Sequence, residues 1–322
     1  MDDIKVTVYC PAYNHESYIR SALDGFVMQK TNFQFEVLVH DDASTDRTAD
    51  IIREYELKYP DIIKAIYQKE NLYRRKINRT YAYLLDKTRG KYIAFCEGDD
   101  YWNDPYKLQK QYDYMEAHPE CSAVVHEAET LRVDTMTFSA YTKYDFEENG
   151  YDFDFTKLIE NLSSFPTASL FFKKEFYTKH EAFLKSVSVY DYVIKLLLAS
   201  DGTVHVLKGV MSVYRLGSVG SWTVRIARSQ NNYITHLKKA IDILNQIDAY
   251  TDYKYHDSVK QEIHIREFNI HCISADMREI KSPVFLNDYK KLSPKNKLIL
   301  HIKCCFPRLY NVLIRVTKNI HR

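Results

Sequence analysis

One stretch limits what this chain can fold into: Lys91-Tyr92-Ile93-Ala94-Phe95-Cys96-Glu97-Gly98-Asp99-Asp100-Tyr101-Trp102. It opens as a short apolar run of strand-forming residues and ends in three carboxylates within four positions. A helix signal follows, with Asp104 as N-cap, Pro105 at the first helical position, and Leu108, Tyr112 and Met115 at helical spacing. Glu97, Asp99 and Asp100 are therefore expected at the carboxyl end of a strand, where open α/β sheets bind ligands. Two readings of the cluster stand at this point. Clustered carboxylates call for a positive neighbour, and a divalent cation with oxygen ligands, Mg²⁺ or Mn²⁺ arriving with a phosphate, would serve. Alternatively, the cluster is an acidic turn that caps the next helix.

Ahead of it, strand and helix patterns alternate. Ile4 to Cys10 reads as a buried strand broken by Pro11-Ala12-Tyr13-Asn14-His15-Glu16, and a helix follows with Ile19, Ala22, Leu23 and Phe26 on one face. Phe35 to Val39 is a second strand, ending in His40-Asp41-Asp42-Ala43-Ser44-Thr45-Asp46; a helix stopped by Pro60 and a third strand, Ile62 to Tyr67, come next. A basic loop from Gln68 to Arg79 carries Arg74, Arg75, Lys76 and Arg79, a helix runs to about Arg89, and Ser122 to His126 is a strand beyond the carboxylates. This alternation predicts an α/β fold with a mostly parallel central sheet and helices on both faces. No Gly-x-Gly-x-x-Gly follows the first strand, so a dinucleotide fingerprint is absent.

With 322 residues there is room for one large domain or a domain plus an appendage, and a net charge of +2 argues against a nucleic-acid binder. The six cysteines have neither metal-ligand spacing nor the look of a disulfide framework, which suits a reducing, cytoplasmic compartment. The start, Met1-Asp2-Asp3-Ile4-Lys5, does not read as a signal peptide, and no apolar run reaches the ~18 residues that span a bilayer.

Between Glu127 and about Asn161 the pattern weakens, and aromatic and acidic residues interleave (Tyr141, Tyr144, Asp145, Tyr151, Asp152, Phe153). Such an excursion is either a sugar-binding loop or a surface loop pinned by its aromatics. Regular patterns return with strands at Pro166–Phe172, Thr203–Leu207 and Val210–Tyr214, and helices at Lys174–Leu184 and Val189–Ala199. Asp191 is the one acid in its apolar neighbourhood; by residue type alone it reads as a cap or first-turn residue. From Trp222 on, the chain looks helical. After Lys291 it has no acid, and Lys295, Lys297, Lys303, Arg308 and further bases alternate with Leu298, Ile299, Ile302 and Phe306. That is the composition of a basic amphipathic segment at a membrane surface, or of a terminal helix with a solvated basic face.

Pro11-Ala12-Tyr13-Asn14, Asp41 to Asp46, Gly90 to Ile93 and Glu97 to Trp102 together resemble the successive signatures of glycosyltransferase family 2, inverting enzymes of GT-A fold. Asp191 and Met211-Ser212-Val213-Tyr214-Arg215 are similar to its second-half pattern, so the resemblance covers about Val6 to Trp222. It is nearest to the branch of bacterial capsule, O-antigen and other surface-polysaccharide pathways. The resemblance implies that Tyr13, in the turn with Pro11, stacks on a nucleotide base and that Asp42 accepts a hydrogen bond from base or ribose. Asp99 and Asp100 would hold ribose and metal, and the direct ligand stays open among Glu97, Asp99 and Asp100. Arg79 or Lys76 would reach the nucleotide or its phosphates, and Asp191 would be the catalytic base. Two positions depart from the family: Gly217 stands where a histidine often follows the arginine, leaving His205 or another group as a substitute, and Tyr190 precedes Asp191.

The expectation is thus a glycosyltransferase domain over residues 1–222 and a helical region over 223–322. It would move a sugar, UDP-linked by preference, from a nucleotide-sugar to a glycan or lipid-linked acceptor with Mg²⁺ or Mn²⁺. It would work in the cytoplasm, as a peripheral protein at the inner face of the membrane. The rivals are a non-catalytic sugar-nucleotide or glycan-binding subunit of the same fold, and a nucleotidyltransferase, disfavoured by the missing Gly-rich loop.

Overall fold

In the computed structural model, Ile4–Ala12 forms the first strand, β1, with every side chain from Val6 to Cys10 buried. A strand covered on both faces has no use for polar alternation, which is why this one reads as an apolar run. The structure describes residues 4–75, 87–147, 150–161, 163–187, 191–218, 221, 229–306 and 308. The chain divides into two units, Met1–Val224 and Arg225–Arg322.

In the first unit β1 is followed by α1 (Ile19–Val27), β2 (Gln34–Asp41), α2 (Thr48–Lys58), β3 (Ile63–Tyr67), β4 (Tyr92–Phe95), β5 (Tyr101–Trp102), α3 (Lys107–Ala117) and β6 (Cys121–Arg132). Then come β7 (Thr137–Ala140), β8 (Tyr151–Phe153), α4 (Phe155–Glu160), β9 (Phe171–Lys173), α5 (Glu175–Ser186), α6 (Asp191–Asp201) and β10 (Thr203–Leu216). Ile19, Ala22, Leu23 and Phe26 are all wholly buried on one face of α1, as their spacing requires. The ten-stranded sheet runs β3-β2-β1-β4-β9-β6-β10-β5. It is parallel from β3 to β4; β9 enters antiparallel, and β6 and β10 lie parallel to each other beyond it. The mostly parallel expectation therefore describes the half that carries the nucleotide-type motifs, and the sheet as a whole is mixed. The chain leaves β1 for β2 and β3 on one side and returns to β4 on the other. The switch point of the fold thus lies between the carboxyl ends of β1 and β4.

Several elements differ from their sequence expectation for physical reasons. Pro166–Phe172 is not one strand: a 3₁₀ turn, Thr167–Ser169, precedes β9, and Ser169 donates its hydroxyl to the Pro166 carbonyl (2.7 Å). The two expected strands after Gly202 are one, β10, whose register against β6 shifts between Leu207 and Val210, beside Gly209 with φ of 109°. The weak pattern after Glu127 hides the rest of β6 and the hairpin to β7, whose four residues are all exposed and so carry no burial period. The helix expected at Pro105 begins at Lys107, because the Asp104 carboxylate first holds the Tyr106 amide in a turn (2.7 Å).

Near the amino-terminal start of β4, the Thr7 hydroxyl donates to Glu36 Oε1 (2.8 Å) and accepts from the Gly90 amide (2.9 Å). Glu36 is buried and also takes the Arg89 amide (2.9 Å) and guanidinium (2.6 Å). This network seats the chain for entry into β4, and it does so at close quarters: a Cβ on Gly90 would lie 2.4 Å from the Thr7 nitrogen.

The second unit holds α7 (Gln230–Tyr250), α8 (His256–Ser274), α9 (Met277–Ile280), α10 (Leu286–Lys291) and α11 (Pro294–Cys305). Phe268, Ile280, Phe285 and Leu300 form its small core. Ser293 caps α11 through the Asn296 amide (3.2 Å), with Pro294 at its first turn. Helix α11 buries Leu300 and leaves Leu298 and Phe306, the residue just past its end, each 61% exposed. Among the described residues no helix is long and apolar enough to cross a membrane.

Gly90→Ala is expected to lower the unfolding free energy by roughly 1–3 kcal/mol, since the clashing atoms are backbone and cannot swing aside. Urea denaturation reads this directly, and an unchanged midpoint would contradict the packing described.

Candidate active site

The carboxyl ends of β1, β2 and β4 meet along one edge of the sheet. Pro11 lies opposite His40 and Ala12 opposite Asp41, while the Gly98 amide donates to the Pro11 carbonyl (3.0 Å) and the Asp42 amide to that of Ala12 (2.9 Å). The turns after β1 and β2 brace each other. Asn14 takes the Thr45 amide (2.8 Å), Ser44 takes the Asn14 amide (2.9 Å), and Thr48 takes the His15 amide (2.7 Å). Pro11 and Tyr13 are half-buried in this turn, as a base-stacking pair would need to be. Gly98 fits under it because a Cβ there would meet the Ile19 Cδ1 at 2.7 Å and His15 Nδ1 at 2.9 Å.

Asp42 has a task the sequence did not suggest. Its carboxylate accepts the Leu72 and Tyr73 amides (2.7 and 3.2 Å), and its carbonyl accepts the Asn71 side chain (2.9 Å). It pins the start of the basic loop to the site edge, and its oxygens keep lone pairs for a further donor. Lys76 and Arg79, expected on that loop, lie outside the described residues.

The carboxylates after β4 point to different partners. Asp100 is 3% exposed, and its Oδ1 accepts the Arg215 amide (2.8 Å). Burial, with Asp99 and Glu97 close by, pushes its pKa well up. Asp99 accepts the Ser218 hydroxyl (2.7 Å), and its carbonyl takes the Arg215 guanidinium (2.8 Å). The same guanidinium lies over the rings of Tyr101 (4.5 Å) and Tyr18 (5.4 Å). Glu97 is different: its Oε2 is buried and has no hydrogen-bond partner among the described residues. Burial, then the charges of Asp191 and Asp99, push its carboxyl up to about 8. His15 Nδ1 and Asp41 Oδ1 on the same edge are likewise buried without a partner.

Asp191 comes to this edge from far along the chain. It is the exposed first residue of α6, and its Oδ2 accepts the Thr167 hydroxyl (3.2 Å). Of the neighbouring charges, that of Asp191 raises the Glu97 pKa most. Tyr141 belongs here as well: burial, its edge-on neighbour Tyr214 (5.4 Å) and the charges of Asp100, Asp191 and Glu97 all raise its pKa.

Glu97, Asp99, Asp100 and Asp191, named from the sequence as ligands and base, lie near one another, each with its own partners. Among the described residues no group of three or more His, Cys, Asp or Glu side chains is arranged as a ligand set. Asp100 is turned to the β10 backbone and Asp99 to Ser218, while Glu97 Oε2 has no partner among the described residues. The residues still fit a divalent cation, because Mg²⁺ and Mn²⁺ sites commonly use one or two carboxylates and take the rest from phosphate and water. Glu97 supplies an unpartnered buried oxygen in a patch where neighbouring carboxylates raise the pKa of Glu97 and of Asp100.

Arg215, Ser218 and Thr167 were not named as site residues, though Arg215 lies in the family's second-half pattern, and Tyr141 was named only as part of the aromatic excursion. His205 does not replace a histidine at Gly217. It pairs with Asp152 (2.7 Å), stacks on Tyr114 (4.0 Å) and sits ten residues before Arg215 on the same strand, about 30 Å away at ~3.3 Å per residue. The aromatic excursion is pinned over most of its length: Tyr144 donates to the Ser164 carbonyl (2.6 Å), Phe153 is buried, and Asp154 caps α4. A cavity of about 510 Å³ lined by Lys91, Glu116, Lys173 and Lys174 opens at the other end of β4, away from these groups.

A family model described as Glycosyl transferase family 2 matches residues 7–176, just over half of the chain. The chain belongs to that family. An uncharacterized protein of Mycobacterium tuberculosis is 34% identical over 211 residues, 66% of this chain and 58% of its own length. The match thus spans a little over half of that relative. The Bacillus subtilis protein TuaG, named for teichuronic acid biosynthesis, is 36% identical over 110 residues, covering 34% of this chain and 41% of its own. Among solved structures, Staphylococcus aureus TarS 1-349 in complex with UDP-GlcNAc superposes with a TM-score of 0.61 at 17% identity, over 93% of this chain and 87% of that one. A mannosyltransferase from Pyrobaculum calidifontis, solved with GDP-Man and Mn²⁺, gives 0.52 at 16% identity, over 95% and 91%. This member of family 2 therefore has the GT-A fold.

Glu97 makes the stability of the protein pH-dependent. An unfolded chain ionises it near 4.5, the folded chain near 8, so between these values the folded state holds the extra proton and stability falls as pH rises. Glu97→Gln removes this contribution. The variant is expected to melt several degrees above the parent at pH 8 and close to it at pH 5; melting curves that stay parallel across the range would contradict the assignment.

Proposed function

We propose that this chain transfers a sugar from a nucleotide-sugar, UDP-linked by preference, to a hydroxyl of a glycan or lipid-linked acceptor in bacterial surface-polysaccharide synthesis, with inversion at the anomeric carbon. The observation that carries this is the placement of Asp191. An exposed carboxylate at a helix start acts by its charge on the half-buried Glu97, after β4 of a family 2 fold. The names of TuaG and of the UDP-GlcNAc complex of TarS support the substrate class.

On this reading the half-buried Pro11 and Tyr13 receive the base, and Asp42 and Asp99 receive the base and ribose hydroxyls, with Arg79 reaching the phosphates from the basic loop. Asp100 is the internal anchor, since its carboxylate is already bonded to the Arg215 amide. A divalent cation, Mg²⁺ or Mn²⁺, would be held by Asp99 and Glu97 with Asp100 behind them, and it would neutralise charge on the departing diphosphate. Asp191 takes the proton of the acceptor hydroxyl as that oxygen forms its bond to the anomeric carbon and the bond to the diphosphate breaks on the opposite face. One displacement needs one base and leaves no covalent intermediate on the protein. Residues 1–222 carry this chemistry, and residues 223–322 form an appended helical region.

Asp191→Asn is expected to lower turnover by about 10²-fold or more while nucleotide binding stays within a factor of two. Release of nucleoside diphosphate from a panel of nucleotide-sugars, with and without Mn²⁺, measures the first, and calorimetry the second. Parent-like turnover in the variant would remove Asp191 as the base.

The second unit supports a peripheral membrane role at the inner face of the cell membrane, because Leu298 and Phe306 stand exposed among Lys295, Lys297 and Lys303. Both side chains are outside the core, so Leu298→Asp with Phe306→Asp should leave melting unchanged while abolishing flotation with phosphatidylglycerol vesicles. Equal flotation of parent and variant would make the tail a packed helix only.

A further inference from the structure

The stretch from Ser164 to Leu170 is buried except for Thr167. Buried backbone carbonyls need donors, and every one from Phe165 to Leu170 has one. The buried Lys195 ammonium, on the otherwise apolar run of α6, reaches the Phe165 carbonyl (2.5 Å). The Ser169 amide and hydroxyl reach that of Pro166 (3.0 and 2.7 Å), and the Leu170 amide closes the 3₁₀ turn on Thr167 (3.0 Å). The Trp102 indole donates to Ala168 (2.9 Å), the Gln111 side-chain amide to Ser169 (2.8 Å), and the Phe95 amide to Leu170 (3.1 Å). Gln111 is itself buried, also bonds the Val124 carbonyl (3.0 Å), and accepts the Lys107 ammonium (2.6 Å), which lies 3.9 Å from the centre of the Trp102 ring. A turn fixed from α6, β5, α3 and β4 at once is a rigid bracket. Thr167, the side chain it leaves open, donates its hydroxyl to Asp191 Oδ2 (3.2 Å).

We propose that Thr167 is a positioning residue: held in this bracket, its hydroxyl engages one oxygen of Asp191 and leaves the other, Oδ1, to take the proton of the acceptor hydroxyl. Trp102 follows the carboxylates after β4, so the same bracket joins the candidate base to the acidic turn. An exposed carboxylate on the first residue of a helix would otherwise turn between rotamers, and a base aimed correctly only part of the time costs turnover rather than donor affinity. Thr167 touches no reacting atom and acts through Asp191. The inference rests on the transferase reading above.

The test uses the full chain with Thr167→Val, Thr167→Ser, Asp191→Asn and the double variant of Thr167→Val with Asp191→Asn. Release of nucleoside diphosphate is followed with whichever nucleotide-sugar the parent turns over best. Valine keeps the branched shape and drops the hydroxyl, while serine keeps the hydroxyl. Thr167→Val is expected to lower kcat about 10-fold, with the donor KM within about a factor of two and the melting temperature within about 1 °C of the parent. Thr167→Ser is expected to keep about half of the parent kcat or more, and Thr167→Val to cost the Asp191→Asn variant less than about twofold, since both changes disable one arrangement. Hydrogen exchange of the parent tests the bracket without substrate: the Ser169 and Leu170 amides are expected to exchange as slowly as those of β4. Parent-like kcat in Thr167→Val overturns the proposal, as does a loss carried by donor KM or melting temperature, a loss that serine does not recover, full additivity with Asp191→Asn, or fast exchange at Ser169 and Leu170. If the parent releases no nucleoside diphosphate from any donor, the transferase reading fails and the role of Thr167 falls with it; a parent-like Thr167→Val in an active enzyme removes Thr167 alone.

Discussion

Four carboxylates, Glu97, Asp99, Asp100 and Asp191, crowd one edge of the sheet, and the need to hold them there shapes much of the first unit. Like charges at short range in a poorly hydrated place repel by several kcal/mol. The fold answers with donors drawn from distant segments. The Arg215 amide, the Arg215 guanidinium, the Ser218 hydroxyl and the Thr167 hydroxyl each hold one of these acids or its backbone. Among the described residues, Glu97 is the one of these acids that keeps a buried oxygen without a partner, and its pKa is raised to about 8. That residual imbalance is what a cation or a polar ligand would relieve, and it is local to the switch point that the parallel strands create.

The same strands explain why the other end of the sheet is tied down so tightly. Glu36 is buried there among Thr7, Arg89 and the Gly90 backbone. Each of its oxygens has a protein donor, so the group is satisfied and structural. The acids at the two ends of the sheet thus have opposite characters, and the difference lies in whether every acceptor is matched. A count of acidic residues would not separate them; their partners do.

The half of the fold built on strong burial patterns was legible in the sequence. β1, β2, β3 and β4 are short apolar runs with turn residues at their ends, and their parallel order follows from the helices between them. Glu97, Asp99, Asp100 and Asp191 could be marked as site residues by their placement against those runs and by the family signatures. Less was legible where contacts are long-range or exposed. β7 shows no period because all four of its residues face solvent, and β10 looked like two strands because a register shift at Gly209 interrupts its pattern. Asp42 was read as a ligand contact from the family resemblance alone. Its bonds to the Leu72 and Tyr73 amides depend on a loop whose path no local pattern records. Lys195 carried no signal, since one lysine in an apolar helix reads as a solvated end until its neighbours are known.

The pairing of β10 with β6 and β5 has a consequence for how the molecule assembles. Arg215 meets Asp100 across 115 positions of sequence, and Ser218 meets Asp99 across 119. The segment recognised as family 2 stops at residue 176, before Asp191, Lys195 and Arg215. During synthesis the acidic turn therefore emerges long before the groups that neutralise it, and it must wait in an unbalanced state while some hundred further residues are made. Loop closure over such distances is slow relative to helix and hairpin formation. The parallel strands can gather early, but the edge that gives the protein its chemistry closes last, and a nascent chain halted short of β10 would hold the recognisable half of the fold without a finished site.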